Sequence, residues 1–135
     1  MAKSDIKIAI EKALDTITPA LATARENVPY TPITKTPYQR IWFMDLIPTS
    51  PEITKSHQVE SYFQIDLLYE LEVGTKSVSA RAALIEAVFK KGSSFSFNGQ
   101  VVNITSPATV EKGRVEGDRW KVCIKIYYSS WVVVN

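Results

Sequence analysis

A chain of 135 residues, 45% hydrophobic and 22% charged, has the composition of a folded globular domain and not of a disordered segment, and its length suits one compact core. Its 16 basic and 14 acidic residues are interspersed and leave a formal charge of +2, so no basic stripe exists to track a phosphate backbone and no specific nucleic acid partner is expected. The longest apolar runs, such as Trp131 to Val134, fall far short of the roughly 20 residues that span a bilayer, Met1 to Asp5 opens no signal-peptide core, and the single Cys123 cannot form an internal disulfide. A protein of a reducing cytoplasm, with no membrane partner, is the expectation.

Ile6, Ala9, Ile10, Ala13, Leu14 and Ile17 recur at the three-and-four spacing of one helix face, with Lys7, Glu11, Lys12 and Asp15 around the rest of the cylinder. Ser4 suits the N-cap, Asp5 complements the positive helix end, and Thr18-Pro19 predicts a break between Thr16 and Pro19. Pro29, Pro32, Pro37, Pro48 and Pro51 then bracket Tyr38 to Ile47; proline cannot donate to a ladder, so strand is confined to that segment and irregular loops flank it. Val59, Ser61, Phe63, Ile65, Leu67, Tyr69 and Leu71 alternate with Glu60, Gln64, Asp66 and Glu70, which predicts a strand with one buried and one polar face.

After Gly74-Thr75, a second helix carries Val78, Ala82, Ile85, Val88 and Phe89 and stops at Lys90-Lys91-Gly92. Phe95 and Phe97 lead into Asn98-Gly99, the dipeptide best suited to a two-residue hairpin turn, and Val101 to Ile104 returns. Beyond Pro107, Thr109 to Val115 can pair across Gly117-Asp118 with a closing strand in which Trp120, Val122, Ile124, Ile126 and Tyr128 alternate with Lys121, Cys123 and Lys125. The fold class is α+β, a mainly antiparallel sheet with two helices packed on one side in the order α-β-β-α-β-β-β-β, forming a single domain over residues 1–135.

Chemistry is sparse. His57, the only histidine, lies in the polar segment Thr54 to Gln58 before a strand, with no second histidine or cysteine pair beside it, and reads as a solvated loop residue. Cys123 sits between Lys121 and Lys125, which would lower its thiol pKa if both ammonium groups were close, but a half-buried strand cysteine is the plainer reading. Asp66 and Glu70 share a strand face, and Asp45 can lie beside them; solvated carboxylates are favoured over a cation site. Gly113, Gly117 and Asp118 form no phosphate loop. No catalytic residue, cofactor or metal is assigned.

Assembly has more support. Ser129 to Asn135 loses its charges, and a Trp-Val-rich end left as an unpaired strand is an aggregation hazard. Either a partner covers it or it extends the closing strand into the chain's own core. The proline-flanked loops from Arg25 to Pro37 and from Pro48 to Ser56 hold Tyr30, Ile33 and Ile53, a composition suited to partner contact and to disorder in the free protein, although ordinary stiff surface loops are the favoured reading.

The series Ala13-Leu14, Ile17-Thr18-Pro19-Ala20-Leu21, Glu26-Asn27-Val28-Pro29-Tyr30-Thr31-Pro32 and Thr36-Pro37-Tyr38-Gln39-Arg40 resembles the small tail-terminator-like proteins of long-tailed bacteriophages. The likeness continues through Phe63-Gln64-Ile65-Asp66-Leu67 and Ala80-Arg81-Ala82 to Gly113-Arg114-Val115-Glu116-Gly117-Asp118-Arg119-Trp120, collinear over nearly the whole chain. The resemblance implies a protein of the virion tail, made in the host bacterial cytoplasm, that caps the tail tube as a hexameric ring, ends tube polymerisation and presents a surface for head joining. Its implied partners are copies of itself, the tail tube protein and a head-tail connector protein, with no catalysis. The family offers no binding residues to transfer, so the contact candidates come from the residues themselves: Arg25, Tyr30, Ile33, Ile53 and Trp131, with Arg114, Glu116, Asp118 and Arg119 at a ring edge. The competing readings are another neck protein, for head closure or tail completion, and a small cytoplasmic enzyme using Cys123 or His57.

Overall fold

The computed structural model describes residues 2–18, 21–25, 30–32, 36–44, 47–48 and 56–133. In chain order the elements are α1 (Ala2–Asp15), β1 (Thr23–Ala24), β2 (Tyr38–Phe43), β3 (Ile47–Pro48), β4 (Ser56–Glu70), α2 (Lys76–Val88), β5 (Ser94–Phe97), β6 (Gln100–Ile104), β7 (Thr109–Val110), β8 (Arg114–Glu116) and β9 (Arg119–Val133). The strands form one sheet in the order β1-β2-β4-β9-β6-β5, with β3 also on β4 and both β7 and β8 also on β9. Every pairing is antiparallel except that of β1 with β2. This is the expected α+β arrangement.

The sheet is organised by β4 and β9, which pair along their whole length from Ser56 opposite Val133 to Glu70 opposite Arg119. Strand geometry sends alternate side chains to opposite faces. Phe63, Ile65 and Leu67 therefore share a face with Val122, Ile124, Ile126 and Tyr128, and all are buried. Both helices close over that face: α1 contributes Ile6, Ile10 and Leu14, and α2 contributes Val78, Ala82 and Ile85, followed by Phe89. The Phe89 ring meets Phe63 edge-on at 5.2 Å and Phe95 at 5.3 Å. Each large side chain buried here contributes about 1.5–3 kcal/mol relative to exposure.

α1 stops where expected, with the amides of Thr16 and Ile17 turning back to the carbonyls of Ala13 and Leu14. It starts earlier than expected: Ser4 lies inside the first turn and is not the cap, because helix already begins at Ala2. α2 ends before Lys90-Lys91, and Gly92 takes a φ of 91°. Asn98 and Gly99 have φ of 53° and 83°, both positive as a tight hairpin turn between twisted strands requires. The segment from Thr109 to Val115, expected as one strand, is two short pieces, β7 and β8. Between them Gly113 lies against the indole of Trp120, where a Cβ would stand 2.5 Å from three ring atoms.

One feature was not foreseen, and one open alternative is decided. β1 adds to β2 in parallel, held by the Gln39 amide on the Ala22 carbonyl and by the Gln39 side chain on the Thr23 hydroxyl at 2.9 Å. The charge-free tail is part of the sheet as far as Val133, paired with β4 on one side and, through Ser129 and Ser130, with β6 on the other. Buried Ser130 accepts a hydrogen bond from Gln100 at 2.6 Å and donates to the Val101 carbonyl, while Trp131 faces out. No helix among the described residues is long and apolar enough to cross a membrane.

Replacing Gly113 with alanine is expected to cost about 1–3 kcal/mol, because Trp120 must move off a packed position. Urea unfolding followed by tryptophan fluorescence should show a lower midpoint with an unchanged slope.

Candidate assembly surface

The helices cover one face of the sheet, and the other is uncovered among the described residues. Even-numbered residues of β2 and β4 and odd-numbered residues of β9 point to it, and the register sorts them into rows. Arg40, Asp66 and Cys123 form one row; Trp42, Gln64 and Lys125 form the next; Tyr62 and Tyr127 follow.

The first row is an ion-pair network. Asp66, expected as a solvated carboxylate, is instead 1% exposed. The reason is that β2 brings donors a single strand cannot display, Arg40 Nη2 at 3.0 Å and Trp42 Nε1 at 2.6 Å, which join Gln64 Nε2 of the same strand at 2.7 Å. Burial pushes the Asp66 carboxyl up, but hydrogen bonds from Gln64, Cys123, Trp42 and Arg40 outweigh it and hold the group below the usual carboxylate range. Glu116 extends the network, pairing with Lys121 at 2.6 Å and with Arg40 at 3.1 Å, and its carboxyl is likewise lowered, first by Lys121.

The same network deactivates Cys123. The thiol is buried, and burial together with the Asp66 carboxylate pushes it up to about 11, against smaller opposite effects of Lys121 and Arg114. Lys125 is drawn away to Glu111 at 3.2 Å. His57 lies within β4 opposite Val132, not in a loop before the strand, whereas Cys123 is opposite Asp66. Nine strand positions separate the two rows, about 30 Å of extended chain, so no cysteine-histidine dyad forms. Among the described residues no group of three His, Cys, Asp or Glu could hold a metal ion.

Beyond the ion pairs the open face turns aromatic. Trp42 and Tyr127 are each 41% exposed and Trp131 is 54% exposed, with exposed Val101 of β6 on the same face. Tyr62 and Tyr127 pair with ring centroids 5.2 Å apart; Arg40 lies over Trp42 at 5.1 Å and Lys125 over Tyr62 at 5.8 Å. Cation-π contacts of this kind hold exposed rings in defined orientations.

The other contact candidates are scattered. Arg25 staples β1 to α1 through Glu11 and, at 2.8 Å, Asp15. Tyr30 stacks on Tyr38 at 5.1 Å. Arg114 and Glu116 lie on β8 beside the ion-pair network, and Asp118 extends from the hairpin tip with its side chain 88% exposed. Arg119 is buried, donating to the Thr36 carbonyl and lying over the Tyr38 ring at 5.2 Å, so its guanidinium serves the fold. Ile33, Ile53 and Asp45, like Pro19, Pro29, Pro51 and most of the two proline-flanked loops, lie outside the described residues. Sequence reasoning passed over Trp42, Tyr62 and Tyr127. Their signal was available: Tyr127 keeps the phase of Lys121, Cys123 and Lys125, and Trp42 keeps that of Arg40.

Because Asp66 and Glu116 titrate below their unfolded values, their contribution to stability is present in full above the unfolded carboxyl pKa of about 4 and is lost as pH falls through the lower folded values. Asp66 carries more of it, since Glu116 is partly exposed and screened. Asp66→Asn should cost about 1–3 kcal/mol at neutral pH and flatten the acid limb of the stability curve, measured by urea unfolding at a series of pH values. A thiol reagent should label folded protein slowly near pH 8 and quickly only after unfolding; fast labelling of the folded chain would contradict the buried thiol.

Comparison with known proteins fits a structural role. One solved structure, 24% identical over 100% of this chain and 99% of its own, superposes with a TM-score of 0.81 and shares the fold. No curated protein matches the chain. A sequence model described as "Phage tail terminator protein" matches residues 5–128. That span takes in α1 from Asp5 onward, the open sheet face as far as Tyr127 and the Gly113 to Trp120 block, and the chain therefore belongs to the phage tail terminator family, whose members are structural tail proteins and not enzymes.

Proposed function

We propose that copies of this chain close into a ring, six to the turn, on the end of the tail tube, halt its polymerisation and offer the head-tail connector a surface to join. The family match over residues 5–128 carries this reading, because membership in the terminator family implies association with the tail tube. A ring requires heterologous contacts whose rotation closes. A cap requires one face that matches the tube end and another that refuses a further tube ring. Interfaces for such sequential assembly bury on the order of 1,000 Å² or more and are anchored by a few aromatic and arginine side chains.

The open sheet face supports the reading with Trp42, Tyr127 and Trp131: Arg40 lies over Trp42, Tyr62 packs on Tyr127, and the strand register puts Trp131 on the same face. We assign these rings to the tube contact, and Arg114, Glu116 and Asp118 to the rim beside it. The proline-flanked segments Arg25 to Pro37 and Pro48 to Ser56, with Arg25, Tyr30, Ile33 and Ile53, are proposed to touch neighbours in the ring. Residues 1–135 act as one domain in this role.

Negative-stain images and sedimentation of the protein alone and mixed with tail tubes test it: decorated tube ends are expected, and monomers that never bind tubes would refute it. Trp131→Ser should weaken tube binding about tenfold or more while changing stability by only about 0.5 kcal/mol, since that ring is mostly exposed.

A further inference from the structure

Among the exposed rings of the open face lies one acid. Glu60, an even-numbered residue of β4, shares that face with Tyr62; it is exposed and stands opposite Ser129 of β9. Tyr127 and Trp131 follow two positions to either side of Ser129, so both rings are diagonal neighbours of Glu60 at about 7–8 Å. The other charges beside the rings are already matched, Arg40 by Asp66 at 3.0 Å and Glu116 at 3.1 Å, and Lys125 by Glu111 at 3.2 Å. Among the described residues no ion pair involves Glu60. Arg114 cannot supply one within the same copy, because it lies opposite Lys121, about 26 Å along β9 from the Ser129 row.

Glu60 therefore constrains what can cover the rings. A flat partner that buries Tyr127 and Trp131 also buries the carboxylate between them, and a carboxylate taken out of water with no opposite charge opposes binding. A lysine or arginine on the partner removes that penalty, because its methylenes pack on the rings while its cationic end meets the carboxylate. A second copy of this chain is a poor occupant. Isologous pairing centred on the patch would set Glu60 against Glu60. The patch also runs only about 20 Å along β9, from the Lys125 row to the Trp131 row, and about 14 Å across from β2 to β6, which offers about 300 Å² where a stable pair needs about 800 Å² from each partner. Repeated around a ring, the same patch reaches that area against a single cylinder.

We propose that a lysine or arginine side chain at the end of the tail tube docks on Glu60 between Tyr127 and Trp131, once for each capping subunit. It rests on the tube contact assigned above and names the chemistry that the tube must present there.

Glu60→Gln and Glu60→Lys test it, by sedimentation with intact tail tubes at about 50 mM and about 300 mM salt. Wild-type binding should weaken as salt rises. Glu60→Gln should bind about tenfold more weakly at low salt and lose most of that salt dependence, and Glu60→Lys should lose binding altogether. Both variants should unfold in urea at the wild-type midpoint, since Glu60 is exposed, which separates a lost contact from a lost fold. Changing the surface lysines and arginines of the tube protein to glutamate one at a time should yield a tube that binds Glu60→Lys and no longer binds the wild-type chain. If both Glu60 variants cap tubes as the wild type does at either salt while Trp131→Ser weakens capping, the cationic contact is overturned and the aromatic tube contact stands. Dimers of the free chain that disappear with Trp131→Ser would overturn it as well, by giving the face to a second copy. If the wild-type chain never binds tube ends, both readings fall.

Discussion

Everything in this molecule depends on the antiparallel pairing of β4 with β9. A slip of one residue would send Ile65 and Ile124 to the open side and carry Asp66 and Cys123 into the core. The register is held from both faces. On one, Phe63, Ile126 and Tyr128 fit beneath the helices; on the other, the Asp66 carboxylate has its donors only if Arg40, Trp42 and Cys123 stand where they do. β2 is placed by β4, and β6, β7 and β8 are placed by β9, so the aromatic rows and Glu60 among them inherit their positions from this single alignment.

Much of this was legible in the chain. Period-two alternation marked β4 and β9, the three-and-four spacing marked α1, and Asn98-Gly99 marked the hairpin, because each of these signals is local and comes from the backbone's own geometry. What escaped was made between elements. Two residues of β1 carry no periodicity, and their pairing depends on Gln39, sixteen positions away from Thr23 in the sequence. Asp66 looked solvated because the donors of Arg40, Trp42 and Cys123 arrive from other strands. Arg119 looked like a rim charge beside Asp118, yet its alternation phase points it across the sheet to Thr36 and Tyr38. Trp42, Tyr62 and Tyr127 were readable by phase but had no chemistry to draw notice.

The surface follows a division of labour. The Asp66 carboxylate is shielded and satisfied, so it stiffens the open face without competing for a partner's charges. Exposed rings lie next to that stiff region, and exposed Lys90 and Lys91 follow the C-terminal end of α2. A rigid platform suits a protein whose role lies in its surface and not in a pocket.

The alignment also governs how the chain reaches its native state. Ser56 must wait for Val133 and Glu70 for Arg119, with α2 and the β5–β6 hairpin synthesised in between. Helices and the hairpin can form early, but the centre of the sheet closes only after a long loop has been gathered in, which is characteristic of slow, non-local folding. Until then Phe63 and Ile65 lack their partner strand and are open to mispairing, so newly made chains pass through a sticky interval before they can serve in any assembly.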